Sequence, residues 1–488
     1  ENQTHFLLLN PKPWRTGKAV LCRQPGNLLL MSSSKTSSYH LFRRWRGATF
    51  TKLGLLSESM SVATASKLVS PLAVLIPVLA ALAEAQVLTD SAWWLTLGAV
   101  VIGVLLYWIA TIGIENRQRY NYAVRSRKEL TSRKIASASL SDYQREHDFE
   151  KREVDGRPYL ASDRVDEFIQ DGGLEKPWEF SSYRYRLPKD LEQFKYLNLR
   201  RHYAQGRAMF NGKLLGMACD PDWTSRIVQL HPIGYFDHIT SNLVVDNVYY
   251  TPGYDELLFD GSSIIVNKDD GALIDLIESK AANVIGSSTL VLTSDAHVII
   301  GQQGSLSDNS QGMLIPSGSG SVSLNDSFYA ETFADIVAGA AQREYFEEAA
   351  VPGAQDYLRK TKSTGVFRTP DSVTVPVPIA TRPIAYMRDL TRAGLPDYFN
   401  LSYTQLTAEQ AIGKQALRSE KGLQTGMRAE RLQPDEDLAQ CVDRVVKNHR
   451  AEGGAVSMQM EMTRHALLQM RERGVLGEFV SHLQRATA

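Results

Sequence analysis

Two uncharged apolar runs dominate the hydropathy pattern of this 488-residue chain. Leu68–Ala83 reads LVSPLAVLIPVLAALA, and Trp93–Ile114 reads WWLTLGAVVIGVLLYWIATIGI. A helix needs about 20 apolar residues to cross a bilayer. The second run has that length, with Trp93, Trp94, Tyr107 and Trp108 toward its ends as interfacial anchors. The first reaches it by extending through Gln86–Leu88, and bilayer-buried helices tolerate its Pro71 and Pro77. Arg43, Arg44, Arg46, Lys52 and Lys67 precede the pair, and Arg117, Arg119, Arg125, Arg127, Lys128, Arg133 and Lys134 follow it. The short connection holds Glu84 and Asp90 instead. This asymmetry predicts a two-helix transmembrane hairpin over 67–115, with both termini cytoplasmic and the lipid bilayer as a partner.

Before the hairpin, residues 1–66 are basic and without period. Met60 opens a sensible start, so 1–59 read as an over-extended frame or a disordered basic arm. Residues 116–193 are charged and interrupted by Gly and Pro, which predicts a helical or loose linker. An α/β region follows over 194–285. In it Leu243–Tyr250 and Leu257–Val266 read as short buried stretches, and Asp269–Ile285 as a helix with an acidic start. Ser288–Ile300 has two apolar runs around a Ser-Asp turn, which predicts a hairpin. Gly312–Val322 reads as a strand entering a glycine-rich turn, and Ala334–Ala350 as a helix. Thr374–Ala380 and Phe399–Tyr403 are further strands, and 407–488 is a helical C-terminal extension. Intermixed strands and helices favour an α/β or α+β sandwich.

Composition removes several alternatives. At 43% hydrophobic and 22% charged, the chain is neither wholly disordered nor fibrous. Lys plus Arg and Asp plus Glu both number 54, so no net field draws it to duplex nucleic acid. Its three cysteines, Cys22, Cys219 and Cys441, form no CxxC pair, which argues against structural zinc and a disulfide framework. The glycines of Ser317–Ser321 lack the Lys-Ser of a phosphate loop. His231 and His238 lack metal-ligand spacing and read as core or surface histidines. Arg200, Arg201, Tyr183 and Tyr185 near the globular start could contact nucleotide, but ordinary surface is the preferred reading.

The chemistry concentrates in Arg343–Val351, REYFEEAAV. On a helix, Glu344, Glu347 and Glu348 stand at i, i+3 and i+4, so three carboxylates leave one face within a turn. Like charges at that spacing repel. A hard divalent cation offsets the repulsion, and Mg²⁺ takes carboxylate and water oxygens. Arg343 is placed to brace one carboxylate with its planar fork. The bland alternative is a solvated acidic face.

These nine residues resemble the core of the Nudix box, R-E-U-x-E-E-x-G-U with U a bulky apolar residue. Arg343, Glu344, Glu347 and Glu348 match, Val351 matches the last apolar position, and Tyr345 is an acceptable U. The hairpin strand Leu290–Ile300 and the run Leu314–Gly320 (LIPSGSG) stand upstream in the family's order. The resemblance covers about 286–406. Asp335 fills the acidic place eight positions before the Arg, whereas Tyr329 and Ala350 stand where the family has Gly. The resemblance implies an α/β Nudix-like α-β-α sandwich over 286–406. It also implies Mg²⁺ (or Mn²⁺) on Glu344, Glu347 and Glu348, with Arg343 orienting Glu344. The family adds one acid from outside the box, for which Asp397 in RAGLPDYFNL is the candidate. A turn aspartate after Pro396 is the alternative reading of Asp397.

Two functions follow, beside a third, interaction-only reading in which the acidic helix is a structural relic. One is a membrane-anchored hydrolase that cleaves a nucleoside diphosphate derivative, a nucleotide-type small molecule, on the cytosolic side. The other is a sensor. In architecture the chain is similar to the membrane-plus-Nudix effectors of bacterial anti-phage nucleotide-signalling operons, which implies an inner-membrane location and a nucleotide signal bound with little or no turnover. Either reading allows a homo-oligomer.

Overall fold

The computed structural model describes Gly103 and residues 122–487, apart from 183, 206–210, 222–224, 304–311, 329, 355–376 and 414–423. Its centre is a nine-stranded mixed sheet. The strands are β1 (Glu150–Val154), β2 (Arg157–Ala161), β3 (Gly286–Thr293), β4 (His297–Gln303), β5 (Leu314–Ile315), β6 (Gly318–Ser321), β7 (Ile379–Asp389), β8 (Leu395–Thr404) and β9 (Gln424–Arg431). The order runs β5-β4-β3-β8-β7-β2-β1, with β6 paired to β3 and β9 to β4. The central β3–β8 pair is parallel, Gly286 opposite Asp397 through Thr293 opposite Thr404. The other pairings in this sheet are antiparallel.

Strand side chains alternate between faces, and the two sets bury different helices. On one face lies α2 (Phe333–Glu348), with α1 (Asp163–Gln170) toward the β7 side. Here Leu160, Tyr386 and Tyr398 pack with Val165, Ile169, Phe333, Ile336, Val337 and Ala340, while Val291 and Ile299 meet Tyr345 and Phe346. On the other face lie α3 (Leu438–Ala451), α4 (Met458–Glu472) and α5 (Leu476–Thr487). They cover Leu290, Leu292, Val298, Ile300, Met387, Phe399 and Leu401. Each such fully buried aliphatic or aromatic side chain stabilises the fold by roughly 1.5–3 kcal/mol. Two three-stranded sheets stand beside the large one. Ala123–Ser126, Asn247–Tyr250 and Leu257–Asp260 make one; Trp178–Phe180, Val228–Gly234 and Lys213–Met217 make the other.

Helix α2 starts where its sequence directs. Thr332 accepts a hydrogen bond from the Asp335 N–H, and Asp335 Oδ2 accepts from the Thr332 N–H at 2.8 Å, a reciprocal capping box. The helix lies directly on β6. A Cβ at Gly318 would stand 2.4 Å from the Tyr345 backbone nitrogen, and one at Gly320 would stand 2.2 Å from the Glu344 carboxyl carbon. The Gly-Ser-Gly run is therefore a strand that admits a helix at close range, where a turn was expected.

Several expectations are corrected. Among the described residues no helix is long and apolar enough to cross a membrane. The longest, α2, has 16 residues, short of the roughly 20 a bilayer requires. The runs Leu68–Ala83 and Trp93–Ile114 lie outside the described residues, apart from Gly103, which is helical. The membrane-hairpin, bilayer and inner-membrane expectations are accordingly withdrawn. The fold is a mixed arrangement of several sheets, not a lone sandwich with a helical tail. The C-terminal stretch opens with β9, which pairs with β4 from His297–Arg431 to Gln303–Gln424, and its helices form one layer of the core. The charged segment expected as a linker holds β1 and β2, joined by Asp155 and Gly156 at φ 49° and 74°. Asp269–Ile285 keeps only a 3₁₀ turn at Leu276–Glu278, because Gly271 and Asn283 adopt positive φ at either end.

Candidate functional site

The acidic turn of α2 faces a short 3₁₀ segment, Leu324–Ser327, that follows β6. Arg343 is the hub. Its Nε and Nη2 donate to Asp326 Oδ1 and Oδ2, both at 2.9 Å, a bidentate fork. Nη2 also donates to the Ser321 carbonyl at 3.0 Å. Nη1 donates to Glu344 Oε1 at 2.6 Å and lies 3.5 Å from Glu347 Oε1. Glu348 faces the strand, where its Oε2 accepts the Ser319 N–H at 3.0 Å. Arg343, Glu347 and Glu348 are buried. Burial works against the Arg343 charge, but Asp326 and Glu344 outweigh it and hold its pKa well above the ordinary arginine value. One guanidinium thus contacts three carboxylates.

The structure brings Arg343, Glu344, Glu347 and Glu348 together and keeps Asp397 apart. Asp397 lies at the start of β8, in the residue set that includes Phe399 and Leu401 and faces α3–α5. Its Oδ2 accepts from Gln459 of α4 and from Arg392 Nη2, each at 3.2 Å. Burial raises its pKa, with Arg392 opposing. Tyr398, on the other side, meets Phe333 of α2 edge-on with ring centroids 5.3 Å apart. The sheet therefore separates Asp397 from the acidic turn. Asp335 serves the start of α2 through the capping box, two turns before Arg343. Asp326, which sequence reasoning missed, is the acid that does meet the hub. Its only sequence signal is the Ser323–Asp326 capping box, in which Asp326 Oδ2 accepts the Ser323 N–H at 2.7 Å.

The histidines singled out by sequence are interior residues. His231 Nε2 lies 3.2 Å from the Ala282 carbonyl, and burial lowers its pKa. Burial, aided by Arg392, pushes His238 down to about 3. Cys219 is half-buried, and Cys441 and Tyr185 are buried. Tyr183 and Tyr329 lie outside the described residues.

Ala350, where the resemblance expects Gly, has φ 49° just past the Ala349 C-cap of α2. This is the left-handed position at which helices favour glycine. A left-handed non-glycine residue costs roughly 1–2 kcal/mol, and glycine's larger unfolded-state freedom returns about 0.5–1 kcal/mol of that. Ala350→Gly is therefore expected to stabilise the chain by about 0.5–1 kcal/mol, read as a rise in the urea midpoint at unchanged slope.

For a metal, donor type and placement differ. Glu344, Glu347 and Glu348 offer only hard carboxylate oxygens, so donor type suits Mg²⁺ or Mn²⁺. Yet among the described residues no group of three or more His, Cys, Asp or Glu side chains is disposed to hold a metal ion. The fit is thus one of donor type.

No family model matches the chain, and no curated protein does. The crystal structure of DR0079 from Deinococcus radiodurans is similar over 41% of this chain and 96% of its own, at 15% identity and a TM-score of 0.22. A likeness that slight carries no argument.

Proposed function

We propose that the acidic turn of α2 is the reactive centre of a Nudix-type pyrophosphohydrolase acting on a nucleoside diphosphate derivative. The observation that carries this reading is Arg343 held between Asp326 and Glu344 beside a strand whose Gly320 leaves room for the Glu344 carboxylate. The orienting role that the resemblance gives Arg343 agrees with that 2.6 Å contact. Glu344, Glu347 and Glu348 would hold Mg²⁺ or Mn²⁺. Such a cation, when bound, supplies neutralisation of the diphosphate and a more acidic water. The chain's own part is to fix the carboxylates. Arg343 holds Glu344, the Ser319 N–H holds Glu348, and Tyr345 and Phe346 anchor the turn in the apolar core.

A second reading is a nucleotide sensor of the same fold with little turnover. The lack of a metal-ready cluster among the described residues favours it. Calorimetric titration of the full chain with Mn²⁺ separates the two. The hydrolase reading expects binding that Glu347→Gln and Glu348→Gln each weaken, because each removes an anionic donor. Equal affinity in the double variant sinks the metal assignment.

A further inference from the structure

We infer that a half-open cavity on the α3–α5 face of the large sheet binds an aliphatic monocarboxylate, with Arg471 as the residue that takes the carboxylate. The cavity measures about 490 Å³, within the roughly 300–1,000 Å³ of sites that hold small molecules. It lies where the β3–β4 turn meets the starts of α3 and α5, and Leu292, Leu432, Leu438, Leu476 and Val480 line it. The acidic turn of α2 packs on the opposite face of the sheet, so the inference stands apart from the function proposed above. Among the described residues that line the cavity none is aromatic. A nucleobase or aryl group finds no ring to stack on there, whereas an alkyl chain meets leucine and valine. Arg471 is the one cationic side chain among those residues, which suits a single negative charge and not a diphosphate. Its guanidinium is already oriented. Nε donates to Asp437 Oδ2 at 2.6 Å, and Asp437 is held in turn because its Oδ1 accepts the Gln440 N–H at 2.9 Å as the cap of α3. The start of α3 stabilises the Asp437 charge, which leaves Arg471 able to attract an anion. Nη1 and Nη2, the end of the fork, have no hydrogen-bond partner among the described residues and match the two oxygens of a carboxylate. The first turn of α5 keeps the space open, since a Cβ at Gly477 would meet nothing within 4 Å. A water takes about 30 Å³ of the liquid, and a methylene is of like size, so a chain of about ten carbons fills more than half of the cavity.

Calorimetric titration of the full chain with decanoate tests this. Decanoate should bind saturably at one site. Octanoate should bind more weakly by on the order of tenfold, because two fewer methylenes are buried and each is worth about fourfold. Decan-1-ol, which keeps the chain and lacks the charge, should also bind about tenfold more weakly, the loss of a charge-assisted contact. Arg471→Gln should abolish the preference for acid over alcohol and leave alcohol binding as it was. Gly477→Leu should weaken all three ligands at least tenfold by filling the space. Leucine is a better helix former than glycine, so the urea midpoint of this variant should hold or rise, which separates a filled cavity from a lost fold. Arg471→Gln, at the rim, tests the carboxylate contact independently of that variant. Equal binding of decanoate and decan-1-ol by the wild-type chain overturns the inference. So does a preference for the acid that survives Arg471→Gln, decanoate binding that Gly477→Leu leaves unchanged, or no saturable binding at all.

Discussion

Arg343→Ala is expected to destabilise the chain by about 3–5 kcal/mol, the cost of removing one partner from a buried charge network. The effect goes beyond one broken salt bridge. Asp326 and Glu347 have side chains 7% exposed, and Glu344 is 15% exposed. All three contact the same guanidinium, so its removal breaks three charged contacts at once in a place with little water. The Ser321 carbonyl loses a donor as well. Urea unfolding of wild type and variant measures the difference. A loss below 1 kcal/mol at neutral pH would mean that the network is solvated and the site is an ordinary surface.

Glu347→Gln should show the opposite profile, with turnover reduced on the order of 10²–10³-fold and stability largely kept. The rate estimate follows from losing a charged group that acts where charge develops in the transition state. The stability expectation follows from geometry. Glu347 stands 3.5 Å from a guanidinium that bonds Asp326 and Glu344 more closely, and glutamine keeps its size and polarity, so the buried turn is expected to tolerate the change. A substitution that spares stability and removes activity marks a functional site. A variant that loses both together indicates a structural acid instead.

The residues of the acidic turn and their helix were legible because helical spacing and a capping box act locally. Arg343–Glu348 needs only the period of one helix, and Thr332 with Asp335 announces its start. The β3–β4 hairpin was readable for the same reason. The β1–β2 hairpin carried an Asp-Gly signal at Asp155–Gly156, but Glu150 and Lys151, on opposite faces of β1, are both exposed, so the strand shows no apolar alternation. Asp397 was assigned to the acidic turn because a single strand does not reveal which face its odd residues take. That phase is fixed by the parallel register with β3 and by the helices on each side. Asp326 was missed because its partner is 17 residues away, beyond the lead-in to α2 and the first part of that helix, a contact that no local pattern encodes. The Gly-Ser-Gly run looked like a turn because glycine also marks places where a helix backbone approaches closely, as Tyr345 approaches Gly318.

The central claim, that the acidic turn of α2 catalyses cleavage of a diphosphate, is tested most directly by turnover. Wild-type chain and Glu347→Gln are incubated with Mg²⁺ and a panel of ADP-ribose, dinucleoside polyphosphates and nucleotide sugars, and the products are resolved by mass spectrometry. The account predicts that wild type cleaves at least one of these at the diphosphate and that Glu347→Gln loses it by on the order of 10²–10³-fold. Cleavage that survives Glu347→Gln, or an inert panel with a nucleotide bound uncleaved, would contradict it.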